Sequence, residues 1–148
     1  MAFQSPLQAV LKVRQFERDV LQQTVAAARQ VVSIRLAERD TILVDRESVL
    51  NELRALNDAD VWDLSEVIQR QQHATLLASH LKTAVAGLTE AEDHLSRCLE
   101  QLLAADQAVQ VIERLFERRV EDYRLSQDRI QMREFDDAAT WAHISATQ

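Results

Sequence analysis

Glycine and proline each occur once in the 148 residues, as Gly87 and Pro6, and cysteine occurs once, as Cys98. A chain with so little to punctuate its turns cannot build a strand-and-turn fold, so long helices are expected. The same shortage excludes a glycine-rich loop that wraps phosphates, and with it a nucleotide hydrolase acting alone. A lone cysteine forms no internal disulfide, which fits a reducing, cytoplasmic compartment. Aromatic residues make up 5% of the chain, and the apolar set is mainly Ala, Leu and Val. That material suits helices sharing a narrow stripe rather than a thick layered core.

Two further absences concern location and charge. No window approaches ~18 uninterrupted apolar residues, and the opening Met1-Ala2-Phe3-Gln4-Ser5-Pro6 has no basic region followed by an apolar run. Neither a membrane span nor a secretory signal is expected, and any membrane association is expected to be peripheral. The formal net charge of -7 gives no general affinity for nucleic acid. Arginines are clustered but alternate with acids, as in Glu117-Arg118-Arg119-Val120-Glu121-Asp122, which is the pattern of a solvated helix face.

What the chain does carry is a heptad. Steps of seven give Leu81, Leu88, Leu95, Leu102, Val109, Phe116, Tyr123 and Ile130, and three residues after these come Ala84, Ala91, Cys98, Ala105 and Ile112. This is a coiled-coil seam. Upstream, Ser5 can cap a helix that starts at Pro6, with Gln8 placed for a capping box, and helix one is expected over 6–56. Its apolar stripe reads Val10, Val13, Val20, Ala27, Val31 and Ile34, then Leu36, Leu43 and Leu50 with Ile42, Val49, Leu53 and Leu56. That implies a change of heptad position near residue 35. Asn57-Asp58-Ala59-Asp60 marks a turn over 57–62, and Asp63 is a cap with Glu66 three residues on. Trp62 reads either as a staple folded onto Val67 or as an exposed contact at the hairpin tip. Helix two is expected over 63–137, followed by a frayed tail over 138–148 whose Trp141 is either a loose contact or a partner anchor.

The expected fold is therefore all-α, a long antiparallel two-helix coiled-coil hairpin in a single domain. A turn centred near residue 60 places Val49 near Gln71, Ile34 near Ala86 and Leu7 near Glu113. The seam of helix two continues past that level through Phe116, Tyr123 and Ile130 to Phe135, so the second helix overhangs. An apolar stripe on an overhanging helix is a binding surface.

No constellation for catalysis is present, and no enzyme is expected. Paired acid and base work needs a closed pocket, which two helices do not make. His73 and His80 are separated by ~10 Å along a helix, too far to share one metal, and His94 and His143 have no ligand neighbours at helical spacing. Cys98 falls on the seam as packing material. No metal, no cofactor and no small-molecule substrate is expected. Arg118, Arg119, Arg124, Arg129 and Arg133, beside Phe116, Tyr123 and Ile130, have two readings. They form either a solvated, salt-bridged face or an amphipathic surface that recognises a carboxylate-rich protein.

The opening Phe3-x3-Leu7-x2-Val10-Leu11-x2-Arg14, the long helical hairpin, the run Leu115-Phe116-Glu117-Arg118-Arg119-Val120-Glu121-Asp122-Tyr123-Arg124 and the close Arg133-Glu134-Phe135-Asp136-Asp137-Ala138-Ala139 together resemble the FliJ family of flagellar export proteins. The closing run carries more acids here than is usual in that family. The resemblance implies a component of the flagellar type III export apparatus, a two-helix coiled coil shaped like the central stalk of rotary ATPases. It implies insertion into the hexameric export ATPase, a link to the export gate in the membrane, and contact with export chaperones. ATPase-binding residues would be Phe3, Leu7, Leu11, Arg14, Phe116, Arg118, Arg119, Tyr123 and Arg124. The gate contact would be Leu77, Leu81, Ala84 and Val85, of which Leu81 and Ala84 are also seam positions. Another reading is a structural scaffold that homodimerises through the overhang, or the equivalent stalk of a virulence-type secretion system.

Overall fold

A computed structural model describes residues 5–147 of the chain. They form two helices, α1 (Pro6–Asn57) and α2 (Leu64–Ala146), and no strand is present among the described residues. The helices pack against each other as the antiparallel hairpin expected, with α2 the longer. The chain divides into two compact units, Val20–Leu102 and a second made of the segments up to Asp19 and from Leu103 onward. Each unit contains a stretch of α1 against a stretch of α2.

The helix ends follow from local chemistry. Ser5 Oγ accepts the Leu7 N–H at 3.3 Å and the Ser5 carbonyl accepts the Gln8 N–H at 3.0 Å, so Ser5 caps α1 while Pro6 occupies the first turn, where no N–H is needed. Asp63 Oδ1 accepts the N–H groups of Ser65 at 3.0 Å and Glu66 at 3.4 Å, capping α2. Trp62 remains 58% exposed. At its far end α2 continues to Ala146, beyond the expected stop at 137. Nothing after Gly87 breaks the helix, the Ala-rich end favours it, and Thr140 ties its hydroxyl to the Asp136 carbonyl at 2.8 Å.

On α2 the seam is the heptad read from the sequence. Leu77, Leu88, Ala91, Cys98 and Val109 are buried, and Leu81, Ala84, Leu95, Leu102, Ala105, Ile112 and Phe116 are half-buried on the same stripe. On α1 the seam differs from the expected stripe and needs no shift near residue 35. Leu7, Leu11, Leu21, Val25, Ala28, Val32, Ile42, Val49, Leu53 and Leu56 form one heptad, and Val10, Val13, Val20, Val31 and Ile34 stand outside it, 41–56% exposed. The missing steps of that heptad are arginines: Arg14, Arg18, Arg35, Arg39 and Arg46. Arg18 and Arg39 are half-buried at these positions, and Arg14, Arg35 and Arg46 are exposed. Arg39 Nη2 meets Asp40 Oδ1 at 2.7 Å. Small residues on α2 make room, and Gly87 faces Arg35.

In Val20–Leu102 the register is set by Arg70 Nη1 on Glu52 Oε2 at 3.0 Å, by Gly87 beneath Arg35, and by a core of Val25, Ala28 and Cys98 packed with Leu95 and Leu102. This is about two residues further along α2 than a turn centred on residue 60 implies. In the other unit Arg18 Nη1 lies 4.0 Å from Asp106 Oδ1. Continuing from that pair, one residue back on α1 for one forward on α2, brings Leu7 to about the level of Phe116. From there α2 runs on to Ala146, ~45 Å at ~1.5 Å per residue.

Candidate partner-binding surfaces

Of the residues assigned to ATPase binding, Phe3 lies outside the described residues. The other eight, Leu7, Leu11, Arg14, Phe116, Arg118, Arg119, Tyr123 and Arg124, all fall in one unit, since its two segments bring the start of α1 to the distal part of α2. They do different work there. Leu7, Leu11 and Phe116 are half-buried on the seam, so most of what they offer is used in holding α1 to α2. Tyr123 is 37% exposed. Arg14 is exposed and pairs with Glu17 at 3.0 Å, one turn along its own helix.

The three arginines of the closing run are not equivalent. Arg124 is gripped from both sides: Nη2 and Nε reach the two Glu121 oxygens at 2.8 and 3.1 Å, and Nη1 reaches Asp128 at 3.1 Å. The hydrogen bonds from Arg124 hold the Glu121 carboxyl below the usual range, and Glu121 with Asp128 raises Arg124 in turn. Arg124 is therefore a locally neutralised cation. Arg118 and Arg119 are exposed and have no ion-pair partner among the described residues, so they are the cations open to an outside carboxylate. Further out, Leu125, Ile130, Met132, Phe135, Trp141 and Ile144 are 40–75% exposed. Leu125 and Met132, which sequence reading passed over, repeat at seven with Arg118 one residue before the seam.

The four residues assigned to the gate lie in the other unit. Leu77 is buried, and Leu81 and Ala84 are half-buried on the seam, with Val85 alone turned outward at 44% exposure. No group of three or more His, Cys, Asp or Glu side chains among the described residues could hold a metal. Cys98 is buried, with its sulfur 3.7 Å from His94 Nε2, and serves as core. No helix among the described residues is long and apolar enough to cross a membrane.

No curated protein and no solved structure matches the chain. The family model described as flagellar FliJ protein matches residues 3–148, which takes in both terminal motifs and the whole hairpin between them. The chain belongs to the FliJ family.

Proposed function

We propose that this chain is a non-enzymatic stalk and adaptor that inserts into the hexameric ATPase of the flagellar export apparatus and couples it to the export gate and to export chaperones. Membership of the FliJ family makes it a component of that apparatus. The observation that carries the finer reading is the unit in which α2 outruns α1. Both terminal motifs meet there, Arg118 and Arg119 have no ion-pair partner among the described residues, and a row of exposed apolar side chains continues to Ile144. In this reading Leu7 and Leu11 position the start of α1, and Arg118 and Arg119 bind carboxylates on the ATPase. Arg124 has its charge satisfied by Glu121 and Asp128 of its own helix. At the gate, Val85 is the contact among the four assigned residues and the other three hold it in place. The protein works at the inner face of the cell membrane as a peripheral component.

The test is titration of the purified chain into its cognate flagellar export ATPase, following binding, ring assembly and hydrolysis. Binding with a raised hydrolysis rate supports the reading, and an ATPase indifferent to the chain refutes it. A scaffold that homodimerises through the overhang is disfavoured by the seam itself. Beyond Phe116 every second seam position is polar, namely Arg119, Ser126, Arg133 and Thr140, and a dimeric coiled coil needs apolar residues there.

A further inference from the structure

A second apolar row runs along α1 that its contact with α2 does not use. One residue before successive seam positions stand Val20, Thr24, Ala27, Val31 and Ile34. Val20 is 43%, Val31 46% and Ile34 52% exposed, and Thr24 and Ala27 are exposed as well. Between Val20 and Ile34 the only charged residue is Arg29, in a chain whose residues are 28% charged. The side chains flanking the row away from the seam, Gln23, Gln30 and Ala37, are uncharged too. A helix face that avoids charge over about four turns while remaining open has the composition of an interface core.

The matching row of α2 lies on the same side of the pair. Glu38 and Thr41 of α1 line one open groove with His80 and Thr83 of α2, and all four stand one residue before a seam position. Along this row of α2 follow Glu90, His94 and Arg97, all exposed. Neither Glu90 nor Arg97 has an ion-pair partner among the described residues. Seven residues apart, they are separated by ~10 Å on one helix and cannot reach each other. They can pair twice with an antiparallel copy of themselves, Glu90 of each chain with Arg97 of the other.

We propose that a second copy of this chain covers this face, antiparallel, with α1 laid on α1. Pairing Glu90 with Arg97 of the second copy puts the two-fold axis beside His94. The register of Gly87 beneath Arg35, continued one residue for one, places Ala28 and Arg29 of α1 at that level. In this register the α1 rows meet as Ala27 with Val31 and Thr24 with Ile34, so each smaller side chain receives a larger one. Val20 of the second copy arrives beside Glu38, at the mouth of the groove. The proposal is tested by the oligomeric state of the chain alone, so its outcome is read separately from that of the ATPase titration.

Light scattering and sedimentation equilibrium on the full chain test it. A concentration-dependent dimer is expected. Val31→Glu turns it into a monomer with unchanged helical circular dichroism, because Val31 supports neither helix. Glu90→Arg weakens the dimer about tenfold, and adding Arg97→Glu restores it. A monomer at all concentrations over ~1–100 μM overturns the proposal. So does a dimer that tolerates Val31→Glu, or one in which the double charge reversal rescues nothing.

Discussion

Gly87 of α2 lies beneath the guanidinium of Arg35 of α1, and a methyl group built on Gly87 would stand 3.9 Å from that group, at ordinary contact distance. Its backbone φ is not positive. The glycine therefore meets no conformational demand, and an alanine fits. Gly87→Ala is expected to raise stability by about 1 kcal/mol, the usual difference in helix propensity. Thermal or urea unfolding followed by circular dichroism measures it, and a fall in stability would show that the contact with Arg35 leaves no room.

Two neighbouring valines test the seam of α2. Val109 is 1% exposed and Val111 is 55% exposed. Val109→Ala is expected to cost about 2 kcal/mol through lost burial and a residual cavity, and Val111→Ala less than about 0.5 kcal/mol. Equal effects in urea unfolding would contradict the register.

Arg39 occupies a seam position on α1 with its side chain 32% exposed and paired to Asp40. A leucine there would bury apolar surface in place of a partly solvated ion pair, which is worth little by itself. Arg39→Leu is expected to stabilise the hairpin by about 1 kcal/mol. A lowered melting temperature would mean that the arginine fits the seam better than a leucine.

Glu121 gives a pH-dependent handle. Its carboxyl titrates below the usual range, first because Arg124 hydrogen-bonds it. A depressed carboxyl favours the folded arrangement above its unfolded pKa, and that contribution fades as pH falls through the lower folded value. Carboxyl NMR titration is expected to place Glu121 below the usual glutamate range, and Arg124→Gln to return it toward that range. A Glu121 titration unmoved by Arg124→Gln would dissolve the assigned grip.

The two helices were not equally legible in the sequence. On α2 the seam residues from Leu81 to Ile112 are apolar or small without interruption, so period alone locates them. On α1 five seam positions are arginines, which an apolar count rejects although Arg18 and Arg39 are half-buried there. One residue earlier, Val10, Val13, Val20, Val31 and Ile34 form a cleaner stripe that faces outward. Hydrophobic period cannot tell a covered stripe from an open one, and only the packed partner settles it. The caps at Ser5 and Asp63 were readable because each needs one side-chain oxygen at the right place. The helical course of α2 from 138 to Ala146 was not, since polar ends resemble frayed tails in composition. For the candidate sites, residue type pointed to Arg118, Arg119 and Arg124 alike. Only the geometry of Glu121 and Asp128 separates the engaged arginine from the two open ones.

The stalk reading rests on the two open arginines reaching the export ATPase, and one measurement addresses that directly. Isothermal titration of the full chain into the cognate flagellar export ATPase, repeated with Arg118→Glu and Arg119→Glu together, gives affinity and hydrolysis rate under the same conditions. The expected result is saturable binding that raises hydrolysis, weakened about tenfold or more by the double reversal with the melting temperature unchanged. Absence of binding, or binding that is indifferent to both reversals, would contradict the account.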